Sequence, residues 1–291
     1  MKAWPDCIPC ILKMSVDIAR NIFKDEEDIR VFFERVMSLR YFKENKWNIT
    51  PPEIIKDIWQ IMEHSTGIKD FLAEKKRIQN DIAMDMYPSA KSIIKDSNDP
   101  FAEALKWSIS GNFIDIMAGI NEIAIDDVLA RLNGIKLNVI SIEGLKKRIG
   151  KARRIVYLCD NCGEIVFDRL FGELLKEYFQ KEIVFVVRTT PVLNDATMDD
   201  AIYVGLNTVG DIIENDIDIP LPGMILNMTS NNVRRLLNES DLIISKGGGN
   251  FDTLSEEGSL RGKLSFLLQA KCQPYVSIHG VKKGDLIINN F

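Results

Sequence analysis

The chain has 291 residues, 46% hydrophobic and 27% charged, with a formal net charge of −5, which fits one large domain or two smaller ones of ordinary soluble composition. No basic stripe or tail offers a nucleic-acid surface, and no apolar run reaches membrane-spanning length, so neither partner is expected. The opening MKAWPDCIPC has no apolar targeting core, and five cysteines are an odd number, which fits free thiols in the cytoplasm better than a disulfide framework.

Apolar residues at Ile8, Ile11, Leu12, Val16, Ile18, Ala19 and Ile22 predict a helix over residues 7–23. Val31, Phe32, Val36, Met37, Leu39 and Phe42 predict another over 29–42. Thr50-Pro51-Pro52 reads as a cap followed by first-turn proline, opening a third helix that carries Ile54, Ile55, Ile58, Trp59 and Met62. Residues 68–86, 89–94 and 101–109 continue the helical pattern. Gly111-Asn112 then interrupts it. A glycine inside a helix costs about 1 kcal/mol relative to alanine, so the break has a reason. Either Asn112 caps a helix junction, or Asn112 and Asp115 face a cleft.

Near Gly150 the pattern changes. Apolar runs at 155–158, 183–187, 242–244 and 275–278 alternate with helical stretches, which predicts parallel βαβ units. The expected fold is α/β: a Rossmann-like parallel sheet core over residues 151–291, preceded by a large all-helical region over 1–150. The active-site cleft is expected between them.

The chemistry gathers at the ends of the expected strands, where ligands of such sheets bind. The first strand runs through Asp160-Asn161 and Gly163 into a helix. The second ends at Arg188, and Asn194-Asp195 follow before the next helix. Asp195 is read either as the cap of that helix or as a partner of Asp160, since neighbouring strands lie about 4.8 Å apart. Two carboxylates with the Asn161 amide oxygen form an all-oxygen set suited to a hard divalent cation such as Mg²⁺ or Mn²⁺. The third strand ends in Lys246-Gly247-Gly248-Gly249-Asn250, where glycine N–H groups, a helix N-terminus and a lysine suit phosphate. No dinucleotide fingerprint is present, and a cation at Arg188 stands where an acid would hold a ribose. Phosphate chemistry is favoured over adenosine binding.

The cysteines include two CxxC pairs, Cys7/Cys10 and Cys159/Cys162, too far apart in sequence for a strong zinc signature. Cys7 and Cys10 are read as structural or redox thiols, or as small hydrophobes. The two histidines, His64 and His279, form no ligand or catalytic set.

In order along the chain, PDCIPCIL (5–12), GNFID (111–115), DNCGE (160–164), RTTPVLNDAT (188–197) and KGGGNFD (246–252) together resemble the damage-control phosphatase family. The early CxxC resembles the branch of that family common in archaea. The resemblance implies a helical part, a Rossmann-like part and a metal-dependent phosphatase acting on sugar phosphates or damaged phospho-metabolites. It implies a divalent ion (Mg²⁺, Mn²⁺, Co²⁺ or Ni²⁺) on Asp160, Asn161 and Asp195, with Asp160 and Asp195 in catalysis. It implies phosphate and substrate contacts from Lys246, Gly247, Gly248, Asn250, Arg188, Glu164 and Asn112. Asp252 stands where glutamate is frequent in the family. Direct hydrolysis and an aspartyl-phosphate intermediate both stay open. The alternatives are an S-adenosylmethionine-dependent methyltransferase of Rossmann type and a non-enzymatic zinc or redox module built on the CxxC pairs.

Overall fold

The computed structural model describes residues 1–44, 47–111, 125–135 and 137–291. The chain begins with α1 (Cys7–Ile22), α2 (Glu26–Met37), the short α3 (Arg40–Lys43) and α4 (Pro51–Thr66). Their apolar stripes close on one another through Ile18, Phe32, Val36, Ile54, Ile58 and Trp59. Thr50 caps α4 as its sequence suggests: Thr50 and Glu53 exchange hydrogen bonds in a capping box, with proline in the first turn. A left-handed Gly67 ends that helix.

Next come α5 (Ala73–Asp96), α6 (Pro100–Ser110), α7 (Ile125–Gly134) and α8 (Val139–Lys151). The two stretches expected over 68–86 and 89–94 are one helix, α5, which continues through Pro88. These helices do not form a separate bundle. Ala83, Leu105, Trp107, Leu145 and Ile149 share one apolar core with Ile155 and Tyr157 of the first strand and with Phe167 and Phe171.

The sheet has six strands in the order β3-β2-β1-β4-β5-β6. They are β1 (Arg154–Leu158), β2 (Glu182–Val187), β3 (Asp211–Glu214), β4 (Leu242–Lys246), β5 (Leu264–Gln269) and β6 (Leu286–Asn290), with α9 (Glu164–Phe179), α10 (Met198–Tyr203), α11 (Asn231–Glu239), α12 (Gly247–Leu254) and α13 (Gln273–His279) between them. All neighbours pair in parallel except β5 and β6. The order reverses between β1 and β4, and that switch point is where a crevice opens beyond the strand ends. The fold is therefore the expected Rossmann-like α/β sheet with a helical N-terminal region. A second apolar core, including Val156, Leu158, Ile243, Phe266 and Phe251, covers the other face.

The strand expected at 275–278 is instead α13. Cys272 precedes it as N-cap, Pro274 lies in its first turn and a left-handed Gly280 closes it. Those helix signals outweigh the β-branched look of Tyr275–Ile278. The strand in this part of the chain is β5, fully buried at every position but its last.

Candidate active site

Asp160 and Asn161 lie one residue past β1, after Cys159, and the peptide N–H of Ala196 donates to the Asp160 carbonyl at 2.8 Å. Asn161 and Asp195 form an isolated antiparallel bridge. The loop after β2 thus folds back so that Asp160, Asn161 and Asp195 meet at one point. Asp195 is not a helix cap: Thr197 caps α10, in a capping box with Asp200. The Asn161 amide N–H donates to Asp160 Oδ2 at 2.9 Å and to Glu164 Oε2 at 3.3 Å, which leaves its Oδ1 as the acceptor available to a cation.

Four carboxylates (Asp160, Glu164, Asp168 and Asp195) and two cations (Arg188 and Lys246) are buried here. Burial, reinforced by Asp195 and Glu164, pushes the Asp160 carboxyl well above its ordinary value. Burial raises Asp195 and Glu164 as well, with Arg188 opposing it at the first and Lys246 at the second. With all four ionised, these carboxylates would exceed the two cations by two negative charges, and burial resists that state. Such a surplus is what a divalent cation neutralises.

The two buried cations are both engaged. Arg188 Nε donates to Asp195 Oδ2 at 2.6 Å, and Nη1 donates to the Gly223 carbonyl at 3.0 Å and to Asn250 Oδ1 at 3.1 Å. Its Nη2 has no hydrogen-bond partner and lies 3.9 Å from Asp160 Oδ1. Lys246 Nζ, at the end of β4, donates to Asp168 Oδ1 at 2.6 Å and to the Ser108 carbonyl at 2.9 Å, and lies 2.5 Å from Glu164 Oε1. Burial opposes its charge, but Asp168 and Glu164 outweigh burial and hold its pKa above the usual lysine range. Asn250 is also spent: its amide donates to the carbonyls of Cys159 and Lys246, at 3.2 and 2.8 Å. Arg188, Lys246 and Asn250, read from the sequence as phosphate contacts, therefore sit behind the cleft wall.

The cleft itself has a volume of about 250 Å³. Asp160, Asn161, Glu164 and Asp195 line it together with Gly247, Gly248 and Gly249 at the start of α12. Pro51, Pro52 and Ile55 of α4 and Ile109 of α6 form its apolar side. Gly247 has φ +79°, and a Cβ there would fall 1.8 Å from Asp160 Oδ2. Only glycine lets the start of α12, whose first N–H groups lack helix partners, pack this closely on Asp160.

Asp252, noted in the sequence only as standing where glutamate is frequent, also lines the cleft, as do two polar residues with no role read from the sequence, Lys271 and Tyr275. Lys271 is exposed, and its charge lowers the pKa of Asp160, Glu164 and Asp195 alike. Its sequence signal was its place just past β5, at the same sheet edge as Asp160 and Gly247. Asn112 lies outside the described residues.

A family model, the Damage-control phosphatase ARMT1-like domain, matches residues 3–287. The chain belongs to this damage-control phosphatase family. A "Damage-control phosphatase" of Archaeoglobus fulgidus is 32% identical over 298 residues, covering 99% of this chain and 98% of the relative. "Damage-control phosphatase PH1575" of Pyrococcus horikoshii is 29% identical, covering 99% of this chain and 97% of its own. The crystal structure of that DUF89 family protein superposes with a TM-score of 0.87 at 28% identity, covering 100% of both chains. The similarity spans helices and sheet alike, so the family's phosphatase character applies to the whole chain. Neither the methyltransferase nor the zinc or redox alternative gains support from these comparisons.

The donor set fits a hard divalent ion of the kind a phosphatase uses. Among the described residues no group of three or more His, Cys, Asp or Glu is arranged to hold a metal. Asp160, Asn161 and Asp195 are two carboxylates and an amide, and a hard ion accepts such a set with its other positions open. The cysteines stand apart from it. All five are free thiols; Cys159 and Cys162 are buried, Cys7 is half-buried and Cys10 is exposed. Burial pushes the Cys7 thiol up, away from the thiolate that redox or zinc chemistry needs.

Proposed function

We propose that this chain is a divalent-metal-dependent phosphomonoesterase acting on small phosphorylated metabolites, sugar phosphates or their damaged forms. The observation that carries the reading is the meeting of Asp160, Asn161 and Asp195, in a cluster where buried carboxylates outnumber buried cations, beside the glycine N-terminus of α12. Asp160, Asn161 and Asp195 would hold the ion, which supplies Lewis-acid polarisation of a phosphoryl oxygen.

The chain's own residues do the rest. Arg188 fixes the Asp195 carboxylate, and Lys246 fixes Glu164 and Asp168, so the carboxylates do not turn away under mutual repulsion. The N–H groups of Gly247 and Gly248 meet phosphoryl oxygens as charge develops, a kind of contact worth about 10²–10³ in turnover per donor. Lys271 adds an exposed positive charge to the lining of the cleft. The cleft joins the helical part, residues 1–150, to the α/β part, residues 151–291. Five free thiols support a cytoplasmic setting.

The test is phosphate release from chelator-stripped protein with Mg²⁺, Mn²⁺, Co²⁺ or Ni²⁺ restored, beside Asp160→Ala. Release that needs the ion and that the variant lacks is expected. Equal release with chelator present, or by the variant, would overturn the metal assignment.

A further inference from the structure

Resting on the phosphatase reading, we infer that Asp252 is the general acid that protonates the leaving oxygen of the substrate, with Tyr275 as its positioning residue. Four carboxylates line the cleft: Asp160, Glu164, Asp195 and Asp252. The first three face Arg188 or Lys246. Asp252 pairs with no lysine or arginine among the described residues; its Oδ1 accepts a hydrogen bond from the Tyr275 hydroxyl at 3.1 Å.

Its place is that of a leaving-group acid. A Cβ on Gly247 would meet Asp160, whereas one on Gly248 would meet the Tyr275 hydroxyl at 2.4 Å. Successive glycines of the phosphate cradle thus touch the metal side and the Asp252 side in turn. Asp252 follows Gly248 by four residues, so it lies on the same face of α12, about 6 Å further along. The cradle thus has the ion-binding carboxylate Asp160 beside Gly247 and the Tyr275–Asp252 pair beside Gly248.

The groups facing Asp252 are the Tyr275 hydroxyl and the Cys272 thiol at α13, the Cys7 thiol of α1 and the terminal amine of Met1. Burial pushes its carboxyl up to about 7, against the terminal amine and the Tyr275 hydrogen bond, which lower it. A carboxyl so placed is about half protonated at neutral pH and can release that proton, as a general acid must. In the step, a water oxygen forms a bond to phosphorus. The bridging P–O bond breaks with its electron pair going to the leaving oxygen, which takes the Asp252 proton. The water's proton passes to a phosphate oxygen, and Asp252 is reprotonated from solvent.

The experiment compares turnover of glucose 6-phosphate, whose alkoxide leaves poorly, with 4-nitrophenyl phosphate, whose nitrophenolate needs no acid. In Asp252→Asn the ratio of alkyl to aryl turnover should fall about 100-fold, the lower end of a general acid's contribution, and the basic limb of the alkyl pH profile should vanish. Asp252→Glu should restore both. Tyr275→Phe removes a hydrogen bond to the carboxylate form, so the basic limb should move to higher pH. An unchanged ratio in an active Asp252→Asn, or equal losses on both substrates, would overturn the inference. Wild type that releases no phosphate from either substrate with any of the four metals would instead overturn the phosphatase reading on which it rests.

Discussion

Replacing Gly247 by alanine tests the geometry of the site through one methyl group. The new Cβ would lie 1.8 Å from Asp160 Oδ2 and 2.1 Å from its Cγ, where ordinary contact begins at 3.4 Å. The Asp160 carboxylate must therefore retreat by roughly 1.6 Å, and misplacing a reacting group by about 1 Å costs on the order of 100-fold in rate. The backbone adds its own cost, because φ +79° in a residue with a Cβ is worth about 1–2 kcal/mol. Gly67→Ala separates the two effects. It carries a similar φ of +70° with nothing within 4 Å of its Cβ, so it should lose only the backbone term and keep full activity. We expect Gly247→Ala to lose at least 100-fold in phosphate release and to need far more metal, and its thermal midpoint to fall further than that of Gly67→Ala, because the overlap with buried Asp160 adds to the backbone term. Phosphate release, metal titration and thermal unfolding of the two variants decide it. Retention of wild-type activity by Gly247→Ala would refute the placement of Asp160 against the helix start.

Further outcomes follow from the buried charges and thiols. Lys246→Met leaves Glu164 and Asp168 without their cation and should cost about 3–5 kcal/mol in urea unfolding; a stable variant with only a raised KM would mean that the lysine meets the phosphate directly. Asp200 lies 2.8 Å from buried Lys76 and accepts hydrogen bonds from Thr197. Burial alone would raise its carboxyl, but Lys76 and Thr197 hold it below its ordinary 3.8. Its stabilisation is therefore full above pH 3.8 and lost as pH falls through the lowered value. Asp200→Asn should unfold more easily than wild type at neutral pH, with the two curves converging in acid; a constant gap down to pH 2 would refute the linkage. A thiol reagent should label exposed Cys10 in the native protein and reach Cys159 and Cys162 only after denaturation; native labelling of either would contradict their burial.

Much of this architecture is written locally, and the remainder is not. Asp160-Asn161 and the Lys246 loop announce themselves because an apolar run stops abruptly at polar residues and glycine, which is how a parallel strand meets its crevice. Residues 275–278 have the β-branched look of a strand, yet Pro274 and Gly280 make them a helix, and that look conceals β5 just upstream. With β5 concealed, Lys271 had no strand end to mark it. The engagement of Lys246 was beyond local reading for another reason: Asp168 and Ser108 lie 78 and 138 positions away from it in the chain. A lysine after a strand looks the same whether it awaits a phosphate or neutralises two buried carboxylates, and only tertiary packing separates the two.

The core that joins Ala83, Leu105, Leu145 and Ile149 to β1 and α9 bears on how the molecule comes apart. Severing the chain near residue 150 would strip the face of the sheet beneath the site and expose apolar surface on both fragments. The helical and α/β parts differ in chemistry but should melt as one cooperative unit. Heat, urea or a protease that opens α5 or α6 would then dismantle the carboxylate cluster in the same event.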